Sequence, residues 1–299
     1  MTFEYPKSPL STSESYEFCK KLTKREAKNF YYAFLTLPYH QRLAAFSGYA
    51  FCRICDDAVD EPGTNDEKNR EIIMLHEQLE NAKKGIFENP VFQALEDTTK
   101  NFAVPWEYFE TILEGMSMDI HISRYSDFDE LKRYCYNVAS IVGLICIEVF
   151  GYKDPKAKIH AIDLGLGMQL TNIIRDISED AKMGRIYIPL DEIKDFEYSE
   201  KELLSGVYNE KFILLMEYQL QRARMYLNSG KLLLQHLPKR SRACPLILLE
   251  FYNAILDRIE KQNYNVFNNR ISLSTLEKGF LAIRLWIRSF LPIKKDPIV

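Results

Sequence analysis

QLTNIIRDISED, residues 169–180, is the stretch whose pattern carries the most information in this sequence. Read as a helix, it places Gln169, Asn172, Asp176 and Asp180 on one stripe, because steps of three, four and four residues return to the same face. Isoleucines surround the stripe, and polar groups on an apolar helix are costly to bury unpaired. Aligned oxygens with room for water suit Mg²⁺, which is usually shared with substrate phosphates. The alternative is a solvated acidic helix end, since DxxxD spacings are common.

A second stretch, YAFCRICDDAVD (residues 49–60), shows the same arrangement. Tyr49, Arg53, Asp56 and Asp60 step by four, three and four residues, whereas Asp57 lies about 100° from Asp56 and is the weaker ligand candidate. Two acidic stripes that face each other across a helical cavity would hold a metal cluster and a diphosphate.

Two arginines accompany the carboxylates. Arg53 lies one turn from Asp56, and Arg175 lies beside Asp176. The planar guanidinium fork donates two parallel hydrogen bonds to phosphate oxygens. The combination predicts a diphosphate-binding site.

Composition limits the class of protein. The chain has 299 residues, 46% of them apolar, which is enough for a large helical core. It contains 18 Tyr and 18 Phe, which suits a long aromatic-lined cavity. A net charge of -3 argues against a general nucleic-acid binder. The longest uncharged stretch, residues 134–147, is too short to span a membrane, and the N-terminus lacks an apolar signal core.

The six cysteines mostly fall in apolar helical segments, which indicates reduced thiols in a cytoplasmic protein. Cys52 and Cys55 have CxxC spacing, but no second pair or histidine cluster supports a redox or metal role.

Almost every segment has the pattern of a helix, so we expect an all-α protein with a single domain over residues 1–299. The first helix is predicted over residues 13–37, up to Pro38, and the second over residues 40–60. S/T-x-x-E capping boxes predict further helix starts at Thr64, Ser199 and Ser274. The segment KMGRIYIP, residues 182–189, is predicted to be a loop that either closes over the site or only connects helices.

Taken together, the chain resembles the squalene/phytoene synthase family of head-to-head prenyl synthases, from NFYYAF at residues 29–34 to Tyr264. The specific motifs are YAFCRICDDAVD, RYCYNVASIVG, QLTNIIRDISED and GRIYIP. The resemblance implies a class I isoprenoid synthase bundle with a central cavity. It also implies Mg²⁺-dependent joining of two allylic prenyl diphosphates through a cyclopropylcarbinyl diphosphate, with release of diphosphate.

The resemblance also implies roles for individual residues. The metal positions, holding two or three Mg²⁺ ions, are Asp56, Asp60, Asn172, Asp176 and Asp180. The substrate positions are Ala27, Lys28, Asn29, Phe30, Phe34, Tyr49, Arg53, Gln169, Arg175, Tyr264 and Arg270. Tyr134 is implied to orient a diphosphate or shuttle a proton, alongside Arg53 and the four aspartates. Family members often carry serines where this chain has Ala27 and Asn29, and only Asn29 can donate a side-chain hydrogen bond to phosphate.

We expect farnesyl diphosphate as the substrate and presqualene diphosphate or a C30 compound as the product, because the chain is compact and carries the bulky Phe30/Phe34 pair. The close alternative is geranylgeranyl diphosphate as the substrate, which would give phytoene. A head-to-tail synthase, a terpene cyclase and a non-catalytic assembly factor are less favoured, and such a factor is expected to lose the metal carboxylates. NADPH is not favoured as a cofactor, and the oligomeric state is left open.

The segment FLAIRLWIRSFLPIKK, residues 280–295, resembles a basic amphipathic helix. One side of this helix carries a cluster of Ile283, Trp286, Ile287 and Phe290. On another side Arg284 and Arg288 lie one turn apart, with Lys294 and Lys295 beyond them. Two expectations follow: peripheral contact with an anionic membrane, or a final helix docked on the core.

Overall fold

The computed structural model describes residues 10–268 and 270–289, and within them the all-α prediction is confirmed. These residues form α-helices and one short π-helical segment, with a single isolated bridge between Arg124 and Ile186. The elements are α1 (Thr12–Glu26), α2 (Lys28–Phe34), α3 (Tyr39–Asp60), α4 (Asn65–Lys83), α5 (Pro90–Phe102), α6 (Trp106–His121), α7 (Phe128–Cys135), the π segment (Tyr136–Ser140), α8 (Ile141–Phe150), α9 (Lys156–Lys182), α10 (Leu190–Asp195), α11 (Glu200–Leu204), α12 (Glu210–Lys231), α13 (Leu233–His236), α14 (Ala243–Lys261) and α15 (Thr275–Ser289).

The predicted helix starts correspond to local capping. In α4 the Thr64 hydroxyl accepts from the Glu67 amide and the Glu67 carboxylate accepts from the Thr64 amide. At the start of α11 the Ser199 hydroxyl likewise accepts from the Glu202 amide. Before α15 the Ser274 hydroxyl accepts from the Glu277 amide. These side chains satisfy amides that have no partner within the helix.

The prediction of one helix over residues 13–37 is wrong. The chain breaks at Ala27, where φ is -137° and ψ is 76°, so α1 and α2 are separate helices. No proline or glycine lies within residues 13–37, so local sequence contains no signal for the break. Because the chain breaks here, α2 is a separate helix, and it packs against α3, α14 and α15.

A continuous helix from α7 through the π segment to α8, Phe128–Phe150, is here called the central helix. It is the one helix in the described ranges long and apolar enough to span a membrane by length and composition, but half of its apolar window is buried within the fold. Ser140 donates a hydrogen bond to the Ile162 carbonyl of α9 over 2.8 Å. This helix is therefore packed as a core element of the fold.

Helix α9 packs against α12, α8, α14 and the π segment. Two glycines allow this close approach: a Cβ on Gly165 would lie 2.6 Å from the Ala139 carbonyl, and one on Gly167 would lie 2.8 Å from the Leu227 amide. One buried apolar cluster extends from Tyr16 to Leu285. That the whole chain is one domain stays a prediction, which this shared core supports.

Candidate active site

A cavity of about 260 Å³ lies between α3, the central helix, α9 and α14. One end carries polar groups: Asp56, Asp119, Tyr134, Gln169, Asn172 and Tyr252. The rest of the lining is mostly apolar and includes Phe150, Leu164, Leu233 and Leu248. The cavity therefore has the two parts that an amphiphilic substrate with a polar head and a long apolar tail requires.

The polar stripe on α3, here called the α3 stripe, consists of Tyr49, Arg53, Asp56 and Asp60. It supplies a cation and a carboxylate that has other carboxylates close to it. The Arg53 guanidinium pairs with Asp57, while its Nε is buried without a hydrogen-bond partner in the described part of the chain. Burial, the neighbouring Asp60 carboxylate and further nearby carboxylates raise the pKa of Asp56 to about 7, against an opposing contribution from Arg53. An anion would satisfy Arg53, and a cation would relieve Asp56.

The polar stripe on α9, here called the α9 stripe, consists of Gln169, Asn172, Asp176 and Asp180 and lies on the other side of the polar end of the cavity. Arg175 Nε donates to Asp176 Oδ1 over 2.8 Å, and Arg270 Nε donates to the same oxygen over 3.0 Å. Burial alone would raise the pKa of Asp176, but these two arginines hold it below its ordinary value. At Asp180, burial together with the Asp176 charge raises the pKa to about 7. Asn172 donates to Gln169 Oε1 over 3.2 Å.

Asp119 of α6, which the motif analysis missed, connects the site. It accepts hydrogen bonds of 2.8 Å from the hydroxyls of Tyr134 and Tyr187, one on each oxygen. Burial raises its pKa, opposed by these hydrogen bonds and by Arg185. An aspartate inside the apolar segment GMSMDI was the available signal.

The loop at residues 182–189 is fixed against the body of the protein. The Ile186 amide donates to the Ser123 carbonyl over 3.0 Å, and Arg185 donates to the Asp119 carbonyl over 3.2 Å. Arg185 also lies 3.9 Å from Asp60. The loop thus brings a cation to the α3 stripe and Tyr187 to Asp119, which favours the first of the two expectations, a loop that closes over the site.

The remaining predicted residues lie on α2, α3 and the break before α2. Phe30, Phe34 and Tyr49 line the cavity, with 5.9 Å between the two phenylalanine ring centroids. Ala27 forms the break before α2, and Lys28 is exposed. Asn29 Oδ1 is buried without a hydrogen-bond partner in the described part of the chain.

Two residues near the C-terminus complete the comparison. Tyr264, implied by the resemblance to be a substrate contact, is not among the residues that line the cavity, and neither are Arg175 and Asp176. Its neighbouring charges are Glu217, Glu260 and Arg224, and its φ is 64°, three residues after the end of α14. Its contact with substrate stays a prediction. Lys278 of α15, absent from the predicted set, lies close enough to Lys28 and Arg175 that their charges, after burial, lower its pKa.

The donor set fits Mg²⁺. Asp56, Asp60, Asp176, Asp180 and Asn172 offer hard oxygens, and the raised pKa values of Asp56 and Asp180 reflect carboxylate repulsion that a divalent cation would relieve. In the described ranges no three acidic, histidine or cysteine side chains converge on one point. Ions here would therefore be completed by water and by diphosphate oxygens, as Mg²⁺ commonly is.

Comparisons with known proteins agree with this geometry. The family profile described as squalene/phytoene synthase matches residues 23–277. A phytoene synthase from Arthrospira platensis is 37% identical over 285 residues, covering 91% of this chain and 92% of the relative. A 15-cis-phytoene synthase from Synechocystis sp. is 35% identical over 291 residues, covering 93% and 86%. A dehydrosqualene synthase crystallised with a ligand superposes with a TM-score of 0.85 at 27% identity, covering 93% and 98%.

Proposed function

The chain belongs to the squalene/phytoene synthase family, whose members are prenyltransferases with an isoprenoid synthase fold, and from that premise we propose that it joins two geranylgeranyl diphosphates head to head to give phytoene. The observation that carries the reaction class is the cavity whose polar end collects carboxylates and amides from α3, α6 and α9.

The choice of a C20 substrate replaces the expectation of farnesyl diphosphate. The relatives that are 35–37% identical are named phytoene synthases. The Phe30/Phe34 pair was a weak guide, because the cavity lining also contains seven small residues. They are Ala44, Ala45, Gly48, Ala139, Gly143, Ala161 and Gly165. Farnesyl diphosphate remains the second candidate, favoured by the similarity to a dehydrosqualene synthase.

Arg53, Arg175 and Arg270 would bind the diphosphates, and the carboxylates with Asn172 would hold Mg²⁺. When bound, Mg²⁺ neutralises the negative charge that develops on the departing diphosphate. Arg53 Nε, buried and without a partner in the described residues, is a donor for a diphosphate oxygen. The arginines on Asp176 keep that carboxylate ionised and ready to accept a cation.

The reaction breaks the C1–O bond of one substrate, and the C2=C3 double bond of the other attacks the resulting allylic cation. Loss of a proton closes the cyclopropane, and a second ionisation, rearrangement and proton loss give the linear hydrocarbon without a reductant. The Tyr134–Asp119 pair is placed at the polar end, where it can orient a diphosphate or receive a proton. The apolar walls exclude water from the cations.

Product analysis tests this function. The purified protein is incubated with Mg²⁺ and either farnesyl or geranylgeranyl diphosphate, with and without NADPH, and products are identified by mass. We expect phytoene from the C20 substrate, independent of NADPH and abolished by EDTA. A C30 product formed in preference would establish the second candidate. A cyclic product from one diphosphate, or coupling to a C5 acceptor, would refute head-to-head synthesis.

A further inference from the structure

The last helix, α15, buries one face and exposes the other. Ala282 and Leu285 are 7% and 2% exposed and pack against the core, as expected for a docked final helix. Five large apolar side chains of α15 are exposed, and the four most exposed are Leu276, Phe280, Ile283 and Ile287, at 86%, 73%, 63% and 59%. Steps of four, three and four residues place these four, here called the outer stripe, on one line along the helix. Membrane contact stays a prediction for this outer face, and residues 290–295 of the predicted segment lie outside the described residues.

We propose that the outer stripe of α15 docks on an anionic lipid surface and that this holds the cavity one helix layer from the membrane. The helix lies in the interface plane, with large apolar side chains on one side and a packed face on the other. A monomeric soluble protein seldom leaves such a continuous apolar line uncovered.

Charge favours an anionic surface as the partner. Residues 275–299 contain five basic side chains and two acidic ones, although the whole chain has a net charge of -3. Arg284 is exposed and lies on the flank of the outer stripe. Lys24 and Lys28 add positive charge beside α2, and Lys28 lies near Lys278 of α15. Basic residues beside an apolar helix face are attracted by anionic headgroups.

The same charges argue against a second copy of the chain. A two-fold symmetric contact would bring the stripe and its basic flank against themselves, so like charges would face each other. A lipid surface with negative headgroups meets the same flank with the opposite sign.

The position of α15 connects docking to the cavity. Its inner face contacts α2 and α14. Phe30 and Phe34 of α2 and Leu248 and Tyr252 of α14 line the cavity on their other sides. A bilayer under α15 would thus be one helix layer from the route that a long prenyl tail or an insoluble hydrocarbon product must take. Docking itself does not depend on which substrate is used.

Vesicle co-sedimentation of the full chain tests the proposal. The vesicles are phosphatidylcholine alone, or phosphatidylcholine with phosphatidylglycerol, in low and high salt. We expect binding to the anionic vesicles, weakened by salt. The double variant Phe280→Ser/Ile283→Ser should reduce binding by about tenfold or more, because two exposed apolar side chains are lost from the contact.

The matched control is Ile159→Ser/Met225→Ser, which removes two side chains of similar exposure, 58% and 57%, from other helices. It should bind vesicles like the unchanged chain. Circular dichroism and turnover on detergent-dispersed substrate should stay the same for both double variants, since neither touches the cavity. Equal binding by all three proteins, no binding by the unchanged chain, or a dimer in sedimentation that the Phe280→Ser/Ile283→Ser variant dissociates would overturn the proposal.

Discussion

Asp119 is the residue that joins the parts of the site. Its two oxygens accept from Tyr134 and Tyr187, and its charge contributes to the raised pKa values of both Asp56 and Asp180. It thus acts on tyrosines from the central helix and the 182–189 loop and on carboxylates from both acidic stripes.

Replacing this carboxylate by an amide removes the charge but keeps the shape. Asp119→Asn should lower turnover by roughly 10²-fold to 10³-fold, since the two tyrosines lose the charged acceptor that orients them. Turnover is compared with that of Asp97→Asn, because Asp97 accepts a hydrogen bond of the same 2.8 Å length from Tyr16 on the α1–α5 side. Equal loss in both variants, or none in Asp119→Asn, would contradict this role.

Phe34 is 3% exposed, lines the cavity and packs on Phe46. Phe34→Ala should increase the rate with a C25 diphosphate relative to the C20 substrate, at a cost of about 3–5 kcal/mol in the free energy of unfolding. Phe92→Ala is the control, because Phe92 is equally buried but packs on Phe51 away from the cavity. If both variants lose stability and neither changes the substrate preference, Phe34 is a core residue only.

Among the individual site residues, the members of the two stripes could be predicted from periodicity, because residues on one helical face repeat every three or four positions. Arg270 was predicted by resemblance, and the structure places it on Asp176. Asp119 and Lys278 are single polar residues that lie off the polar stripes of their helices, and only tertiary packing shows their partners. The left-handed residues Asn263 and Tyr264, which follow α14, were not indicated by any sequence pattern.

Among the elements, α9 has the tightest constraint on its position. Gly165 lies against the backbone of the π segment, with Ala139 O only 2.6 Å and Ser140 Cα only 2.7 Å from where a Cβ would be. Since α9 carries one acidic stripe and the central helix carries Tyr134, the distance between these helices sets the width of the cavity.

Gly165→Ala should therefore lower both stability and turnover. Pushing two backbones apart costs about 1–3 kcal/mol in the free energy of unfolding, and the displaced stripe would bind diphosphate less well. Gly279→Ala in α15 is the control, because no atom of the described residues lies within 4 Å of its added Cβ. Thermal unfolding and kcat are measured for both, and an unchanged Gly165→Ala protein would show that α9 can shift freely.

Most helix starts could be predicted from the sequence, because a capping side chain acts on amides a few residues away. The break at Ala27 and the π segment were not predicted. Both arise where a helix accommodates its neighbours: α2 turns toward α14 and α15, and the π segment meets Gly165.

For the whole molecule, the two acidic stripes make stability depend on pH and on metal. The pKa values of Asp56 and Asp180 rise from 3.8 to about 7 on folding. A raised carboxyl pKa contributes stability that is complete below the unfolded pKa and is lost as pH rises through the folded pKa. Without metal, these groups should destabilise the fold as pH increases from 5 to 7.5.

The pH dependence of stability is measured by thermal unfolding in EDTA at several pH values. Asp56→Asn/Asp180→Asn should be more stable than the unchanged chain by an amount that grows by about 1 kcal/mol per pH unit for each carboxyl. Comparison of the two proteins cancels His160, whose pKa is lowered by burial and whose contribution therefore has the opposite sign. Mg²⁺ with inorganic diphosphate should stabilise only the unchanged chain at pH 7.5, and parallel pH curves in EDTA would contradict this account.

The central claim is that the α3 and α9 stripes act together on one diphosphate site. Turnover of geranylgeranyl diphosphate with Mg²⁺ is therefore measured for Asp56→Ala, Asp176→Ala and the surface control Asp66→Ala, each with its circular dichroism spectrum. We expect Asp56→Ala and Asp176→Ala each to lose nearly all turnover with helical content retained, and Asp66→Ala to match the unchanged chain. Product formation that persists in both site variants, or that needs no divalent metal, would contradict the claim.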